Sequence, residues 1–378
     1  MKRILLAGVL FLALGIIAIV LWSTDYFHRT ENIPSLQDIA KAPQTEQDIP
    51  RLTTIATGLS VPWEIVFLYD DSLLVTERAG NIVRINPKTG DTQTIYTIPN
   101  VKEIGEGGLQ GMVLHPDFQK NKYIYVYYTY SGGGNNTLNR VSRFTYENNT
   151  FSNEEVIVDT IPGAANHDGG RIAFGPDNYL YITTGDAQEP SLAQTKNSLA
   201  GKILRVTDTG KPASNNPFQT QVFSYGHRNP QGLCWDDQDN LFATEHGPSG
   251  TGSGFDELNV IRPGINYGWP TIQGDQTRQG MQTPLIQSGS QDTWAPAGAA
   301  CINGSVFFGG LRGSALYEAK IHGDLVNLKT HLKGELGRIR AVVKGPDGML
   351  YISTSNKDGR GVPKAEDDRI IRVNPTKL

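Results

Sequence analysis

Short apolar runs rich in β-branched and aromatic residues recur along the chain. Each run is followed by a turn and by a second run in which charged residues occupy alternate positions. The first runs are residues 72–77, 123–128, 179–184, 240–245, 305–310 and 349–354. The second runs are residues 81–85, 140–144, 202–206, 257–261, 314–318 and 369–373. Their composition and period-two alternation predict β-strands.

The paired runs recur at intervals of roughly 45 to 65 residues, a spacing typical of propellers and solenoids. Sheets of this kind bury both faces by packing radially around a central axis. Residues 51–55 form an additional strand without a nearby partner, so we expect them to complete the last sheet and close the ring. The pattern predicts an all-β, six-bladed β-propeller of four-stranded antiparallel blades. A pair of β-sandwiches is the alternative, but it would not explain the sixfold recurrence.

The N-terminus carries an uncharged apolar segment from Ile4 to Trp22, directly after Lys2 and Arg3. About 20 apolar residues can span a bilayer, and this segment is longer than the apolar core of a usual secretory signal. We interpret residues 1–22 as a signal anchor, with a cleaved signal as the alternative, and residues 23–50 as a polar tether. The positive residues would stay cytoplasmic, which places residues 51–378 on the periplasmic or extracellular side.

Composition and net charge limit the classes of binding partner that we expect. The net charge of −4 provides no basis for nucleic-acid binding, and we expect membrane contact through the N-terminal segment only. The two cysteines, Cys234 and Cys301, are consistent either with a disulfide outside the cell or with buried thiols.

Four loops are richer in polar groups than their turns require, and propeller sites lie on loops at one end of the central channel. The first loop contains His167, which can abstract a proton near neutral pH. The second contains Arg228 and Asn229, which suit an oxygen-rich ligand or a developing oxyanion. Each of these loops also has a structural interpretation, in which its polar groups only hold the loop in place.

The third region comprises residues 244–249, 255–258 and 266–270, and its carboxylates and carbonyls are the oxygen ligands that calcium prefers. Solvated carboxylates are the alternative. The fourth loop carries Arg338 and Arg340 at alternate positions, so both would point to the same side of a strand. A solvent-facing arginine pair is the alternative there.

In combination, these loops resemble the family of soluble glucose and aldose-sugar dehydrogenases that use pyrroloquinoline quinone (PQQ). The resemblance extends from about Gly58 to Pro375. The motifs that carry it are Gly107–Gly111, His115–Phe118, Gly169–Ile172, Gly175–Asp177, Gly226–Gly232, Asn266–Pro270 and Arg338–Arg340.

The resemblance implies roles for individual residues. His167 corresponds to the general base that takes the proton of the sugar hydroxyl. Arg228 and Asn229 correspond to the pair that contacts the quinone and steadies its reduced oxygen. Gly247 and Pro248 correspond to backbone carbonyls that hold the calcium ion of the cofactor.

The same resemblance implies roles for four further residues. Glu257 and Tyr267 correspond to another calcium site. Arg338 and Arg340 correspond to contacts with the cofactor carboxylates, for which arginine is physically well suited.

Three cofactor-site positions depart from the family pattern. Glu106 stands where the family often has a glutamine, and an unpaired anion there would weaken the binding of an anionic cofactor. Asn166 replaces an aspartate beside the general base, which changes how His167 is oriented. Arg312 stands where lysine is frequent, so the charge is kept and the geometry changes.

The resemblance therefore implies oxidation of the anomeric hydroxyl of an aldose to a lactone, with PQQ and calcium as cofactors and an external electron acceptor. Two alternatives remain at this stage. One is a calcium-dependent lactonase without an organic cofactor, and the other is a non-catalytic ligand-binding propeller. The fold alone does not distinguish these functions. The arginines and the His227-Arg228-Asn229 loop count against the lactonase, since a lactone needs few anion contacts.

Overall fold

The computed structural model describes residues 49–134, 136–248, 254–323 and 325–378. Residues 50–378 form one compact unit. The predicted signal anchor and almost all of the predicted tether lie outside the described residues. Among the residues that are described, no helix is both long and apolar enough to cross a membrane.

In these described ranges, twenty-four strands form six antiparallel sheets of four strands each. The first strand, β1, spans Leu52–Ala56. Blade 1 contains β2 (Pro62–Phe67), β3 (Leu73–Glu77), β4 (Asn81–Ile85) and β5 (Thr92–Thr97). Blade 2 contains β6 (Leu109–Leu114), the short helix α1 (Phe118–Asn121), β7 (Tyr123–Gly133), β8 (Asn136–Glu147) and β9 (Thr150–Gly163). Blade 3 contains β10 (Ile172–Phe174), β11 (Leu180–Thr184), the short helix α2 (Ser191–Gln194), β12 (Lys202–Val206) and β13 (Val222–Tyr225).

The second half of the ring has the same organisation. Blade 4 contains β14 (Pro230–Trp235), β15 (Leu241–Glu245), β16 (Glu257–Ile261) and β17 (Ile286–Gln287). Blade 5 contains β18 (Pro296–Ile302), β19 (Ser305–Gly310), β20 (Ala315–His322) and β21 (Leu325–His331). Blade 6 contains β22 (Ile339–Lys344), β23 (Leu350–Thr354) and β24 (Ile370–Val373), and a 3₁₀ turn at Pro375–Lys377 follows it.

Strands from the two ends of residues 50–378 close the ring. Strand β1 pairs with β24 at the outer edge of blade 6, with Leu52 opposite Val373. At the inner edge, the first strand of blade 6 contacts the first strand of blade 1. The predicted six-bladed propeller and its closure by an N-terminal strand are therefore confirmed.

The apolar core lies between the blades. In the described part of the chain, six clusters of buried apolar side chains each span one junction between neighbouring blades. Leu74 of blade 1, for example, shares a cluster with Ile124 of blade 2. Because each second strand is covered on both sides, β3, β11, β15, β19 and β23 are buried at every residue. These strands are therefore nearly continuous in their apolar and small residues, unlike half-exposed strands.

The charged positions in the third strands also have a structural cause. An arginine of the third strand binds an aspartate in the turn that precedes the second strand of the same blade. The pairs are Arg84–Asp70, Arg205–Asp177 and Arg372–Asp347. Each pair thus links the third strand of a blade to a turn of the same blade, on its partly exposed side.

Blades 4 and 5 are joined covalently. Cys234 in β14 and Cys301 in β18 form a disulfide, and their Cα atoms are 5.6 Å apart, within the usual range for a bridge. The alternative of two buried thiols, which the sequence left open, is thus excluded.

The closing strand should be required for full stability, whereas residues 1–48 should not. A chain that begins at Ile49 should fold, because it retains β1. A chain that begins at Gly58 loses the edge strand of blade 6 and the buried side chains of Ile55 and Ala56. We expect its Tm to be lower by roughly 5 °C or more, since burying one large aliphatic side chain contributes about 1.5–3 kcal/mol. Thermal unfolding followed by circular dichroism would measure this, and equal Tm values for the two chains would contradict the closure.

Candidate active site

The candidate site lies at one end of the central channel. In each blade, the loop that enters the first strand and the loop that joins the second to the third strand meet at this end, because adjacent strands are antiparallel. A cavity of about 610 Å³ opens there, a size typical of cofactor and ligand sites. Its wall comes from blades 2 to 6 and consists of Glu106, Asn166, His167, Gln188, Arg228, His246, Gly247, Pro248, Asp256, Thr293, Ala295, Leu311, Arg312, Arg338 and Arg360.

Glycines allow the loops of this end to pack backbone against backbone. A Cβ atom at Gly105 would lie 1.9 Å from the carbonyl oxygen of Ala165, and one at Gly185 would lie 1.8 Å from that of His167. No side chain fits at such distances, so only glycine permits these contacts. The loop that carries His167 is thereby held between a loop of blade 2 and a loop of its own blade.

His167 is oriented by a buried carboxylate. Its Nδ1 lies 2.8 Å from Oδ1 of Asp186, whose side chain is fully buried two residues after the end of β11. The other oxygen of Asp186 accepts a hydrogen bond of 2.8 Å from Nε1 of Trp269. With Nδ1–H donating to Asp186, the neutral ring carries its free lone pair on Nε2. Because His167 lines the cavity, this arrangement suits a general base.

Arg228 lies on the neighbouring part of the wall. Its backbone N–H donates to Glu245, its Nη1 donates to the carbonyl oxygen of His246 at 3.4 Å, and its guanidinium lies 5.4 Å from the ring centre of Trp269. Burial lowers the pKa of Arg228, although Asp186 and other carboxylates oppose this effect. The result is a fixed cation next to the His167–Asp186 pair.

Glu106 is a paired anion. Its Oε1 accepts a hydrogen bond of 2.6 Å from Nη1 of Arg360, and its Oε2 accepts from the backbone N–H of His167 at 3.2 Å. Burial would raise the pKa of Glu106, but the charge of His246, the hydrogen bond and charge of Arg360 and the His167 amide lower it to about 2. Loss of water around the ring lowers the pKa of His246 to about 3. His246 is therefore neutral at neutral pH, and Arg360 is the cation that pairs directly with Glu106.

A smaller cavity adjoins the main one. Its volume is about 10 Å³, roughly the space of one water-sized group. Its wall includes Gly247 and Pro248, predicted for the calcium of the cofactor, and Glu257 and Tyr267, predicted for another calcium site. The structure brings all four residues around one cavity. Burial, followed by the negative charge of Glu245, raises the pKa of Glu257 well above its usual value. A cation here would relieve both effects, so the donor set fits a calcium ion.

No three His, Cys, Asp or Glu side chains converge as metal ligands within the described ranges. A calcium ion at the smaller cavity would therefore draw on backbone carbonyls in addition to Glu257. Backbone carbonyls are ordinary ligands for this ion.

Two predicted cofactor residues do not line either cavity. Asn229 is fully buried, and its side chain accepts from the Gly169 amide at 3.0 Å and donates to Glu106 at 3.4 Å. Arg340 is also buried and donates to Oε1 of Gln231 at 3.2 Å. Burial lowers the pKa of Arg340 to about 10, which leaves it charged at neutral pH. In this structure, both side chains lie behind the residues that line the cavity.

The arginines of the fourth loop are not a solvent-facing pair. Arg338 lines the cavity, and its Nε donates to Asp358 at 2.8 Å. Arg340 lies 4.0 Å from the same carboxylate. Arg312, by contrast, is exposed at the rim of the cavity.

Sequence reasoning missed several residues of this site, among them Asp186, His246, Asp358 and Arg360. Asp186 and Asp358 both follow the second strand of a blade, in the loops that reach the cavity end. That position in the repeat is the signal that would have identified them. No local motif marks Arg360.

Comparison with known proteins gives a consistent result. Residues 59–370 match the family described as Glucose / Sorbosone dehydrogenase. The aldose sugar dehydrogenase YliI of Escherichia coli is 31% identical over 333 residues, which cover 80% of this chain and 89% of that protein.

Solved structures of sugar dehydrogenases are also similar to this chain. The PQQ-bound aldose sugar dehydrogenase of Streptomyces coelicolor is 40% identical with a TM-score of 0.80, and a putative oxidoreductase (glucose dehydrogenase) of Thermus thermophilus is 42% identical with a TM-score of 0.81. Each comparison covers 86% of this chain and 99% of the other.

The low pKa of Glu106 predicts a pH-dependent contribution to stability. The pKa is about 2 in the folded protein, below the ordinary value of 4.5, so ionised Glu106 stabilises the fold above pH 4.5. This contribution should be lost progressively as the pH falls from 4.5 towards 2. We therefore expect the Tm difference between wild type and Glu106→Gln to shrink over this range. A difference that stays constant in thermal scans at several pH values would contradict the assignment.

Proposed function

This chain belongs to the glucose/sorbosone dehydrogenase family, and we propose that it oxidises the anomeric hydroxyl of aldose sugars to lactones with PQQ and calcium. It is an oxidoreductase that acts on CH–OH groups, and an external acceptor would receive the electrons. One observation carries the proposal: a histidine oriented by a buried carboxylate, His167 with Asp186, lines a cavity whose wall also contains arginines.

The cavity fits PQQ chemically. This cofactor carries three carboxylates, and Arg228, Arg312 and Arg338 line the cavity. Arginine binds carboxylates well because its planar fork can donate two parallel hydrogen bonds. His246 adds a buried Nε2 that has no hydrogen-bond partner among the described residues. We assign these four residues as the ones that would hold the cofactor.

The protein's part in the reaction follows from His167. Its unprotonated Nε2 takes the proton of the anomeric hydroxyl, and Asp186 stabilises the imidazolium that forms. When bound, PQQ supplies the acceptor for the hydride that leaves the sugar carbon, so the aldose loses two electrons and becomes the lactone. Arg228 provides a fixed positive charge next to the reacting groups, which requires no reorganisation during the step.

Calcium would bind at the smaller cavity. Glu257 would supply a carboxylate, while Gly247, Pro248 and Tyr267 would supply backbone carbonyls. Gly247 and Pro248 also line the main cavity, so the same loop would contribute to the binding of both the ion and the cofactor. The raised pKa of Glu257 supports this assignment, since a nearby divalent cation would stabilise its ionised form.

The location proposed for the domain is outside the cytoplasm. The disulfide between Cys234 and Cys301 supports it, because disulfides persist in oxidising compartments. We retain residues 1–22 as a proposed signal anchor and residues 23–50 as a proposed tether.

The reaction can be tested by reconstitution with PQQ and calcium, followed by a panel of aldoses and an artificial electron-accepting dye. His167→Ala should lower kcat by about 10²- to 10⁴-fold, because it removes the general base, and PQQ affinity should change little. Asp186→Asn should also lower kcat, since it no longer holds the imidazole in the required tautomer. Unchanged turnover by His167→Ala would refute this mechanism. Lactone hydrolysis without PQQ would favour the lactonase, and ligand binding without turnover would favour the binding protein.

Calcium should be required for activity and should raise the Tm, because an ion that binds only the folded form shifts the unfolding equilibrium. Glu257→Gln should reduce the calcium-dependent rise in Tm, since it removes a charged oxygen ligand. The rise can be measured by thermal unfolding with calcium and with a chelator. Asp275→Asn is the matched control, because Asp275 lines neither cavity. Identical Tm values with calcium and chelator would count against the site.

A further inference from the structure

Arg360 joins three blades across the cavity rim. It lies in the loop between β23 and β24 of blade 6, and its side chain is 52% exposed. Its Nη1 donates to Oε1 of Glu106, in the loop that enters blade 2, at 2.6 Å. Its Nη2 donates to Oδ1 of Asn166, in the loop that enters blade 3, also at 2.6 Å. A planar guanidinium can make both bonds at once.

Both bonds lead to His167. Asn166 directly precedes it in the chain, and Glu106 accepts the hydrogen bond from its backbone N–H at 3.2 Å. The backbone of His167 has a φ of 65°, in the left-handed region that non-glycine residues rarely adopt. Such a conformation persists only where surrounding contacts hold it. Arg360 holds this segment from two sides.

The loop of Arg360 is itself anchored at the cavity. Oδ1 of Asp358 accepts a hydrogen bond from the Arg360 amide at 2.9 Å, and its Oδ2 accepts one from Nε of Arg338 at 2.8 Å. The position of Arg360 is therefore tied to an arginine of the cavity wall.

The positive charge of Arg360 has a second effect, which concerns Glu106. The carboxylate of Glu106 is only 13% exposed and lies in a cavity suited to an anionic cofactor. Without Arg360, Glu106 would lose its ion-pair partner, and the charges of Arg228 and Arg340 would act on it without the direct hydrogen bond that Arg360 provides. A less compensated anion here is costly in itself and repels further negative charge. Asn229 donates to Glu106 but carries no charge, so it cannot replace Arg360.

We propose that Arg360 is a positioning residue for the sugar oxidation: it holds the His167 segment through Glu106 and Asn166, and it neutralises Glu106 so that an anionic cofactor is accepted. This proposal rests on the proposed function for its catalytic part. Its structural part, the restraint of the His167 segment, stands independently of any cofactor.

The structural part is tested on the protein without cofactor by hydrogen–deuterium exchange. In Arg360→Ala, amides in the segment 163–170 should exchange about tenfold faster, because both bonds from the guanidinium are lost. Arg51→Ala is the matched control: Arg51 is 46% exposed, is 2.6 Å from Glu335 and lies away from the cavity. It should leave exchange in this segment unchanged. Equal exchange in the two variants would overturn the proposal.

The catalytic part is tested with PQQ and an aldose. Arg360→Ala should raise the Kd for PQQ and lower kcat, each by about 10- to 100-fold, because it leaves a partly buried charge unpaired and misplaces His167. Arg360→Lys keeps the charge but not the planar fork, so its Kd should stay within about threefold of wild type while kcat still falls. If Arg360 only stabilised the fold, Arg360→Ala and Arg360→Lys would lower the Tm, and Arg360→Lys would not show the lower kcat at a nearly unchanged Kd.

A double-mutant cycle isolates the charge effect. In a Glu106→Gln background, Arg360→Ala should change the Kd for PQQ by less than about threefold, because no anion remains to be neutralised. Equal effects of Arg360→Ala in both backgrounds would overturn the charge argument. A wild-type protein that binds no PQQ would refute the proposed function instead, and the exchange experiment would still decide the structural role of Arg360.

Discussion

The structure depends on apolar packing between neighbouring blades. Each blade has both faces covered, and the buried clusters of the described chain lie at the junctions between blades, not within them. A blade is therefore stable only next to its neighbours, and the ring must close for the first and last blades to be covered. Pairing of β1 with β24 provides this closure. The site depends on the same constraint, because its wall is assembled from five blades whose loops meet only in the closed ring.

At the site in the closed ring, buried charges lie next to groups that compensate them. Asp186 is matched by His167 and Trp269, Glu106 by Arg360, and Asp358 by Arg338. Deeper in the channel, Arg171 pairs with Glu64 and packs 4.2 Å from the ring centre of Trp63. Each of these buried charges thus has an opposite charge or a hydrogen-bond donor, as burial requires. The arginines that face the main cavity leave it suited to an anionic ligand.

The accuracy of the sequence-based prediction differed between fold and site. The second and third strands of each blade and the closing strand were identified correctly, since they carry nearly continuous β-forming residues. The first strand of each blade was not located from the sequence. His167 and Arg228, which lie in compact motifs, both line the cavity. Asp186 and Arg360 were missed because their partners lie in other loops, 19 residues away for the pair of Asp186 and His167 and 254 residues away for the pair of Arg360 and Glu106. Asn229, predicted to contact the cofactor, does not line the cavity in this structure, and a motif does not reveal which side chain faces inward.

By itself, the sequence determined the number of blades, the closing strand and the family, because these depend on local periodicity and on contiguous motifs. Only the tertiary structure decided which side chains meet. The pairing of Cys234 with Cys301 and the contact of Arg360 with Glu106 and Asn166 join separate blades. Such contacts depend on the geometry of ring closure, and short-range patterns along the chain carry no information about that geometry. The charge balance of the site is for this reason a property of the closed ring.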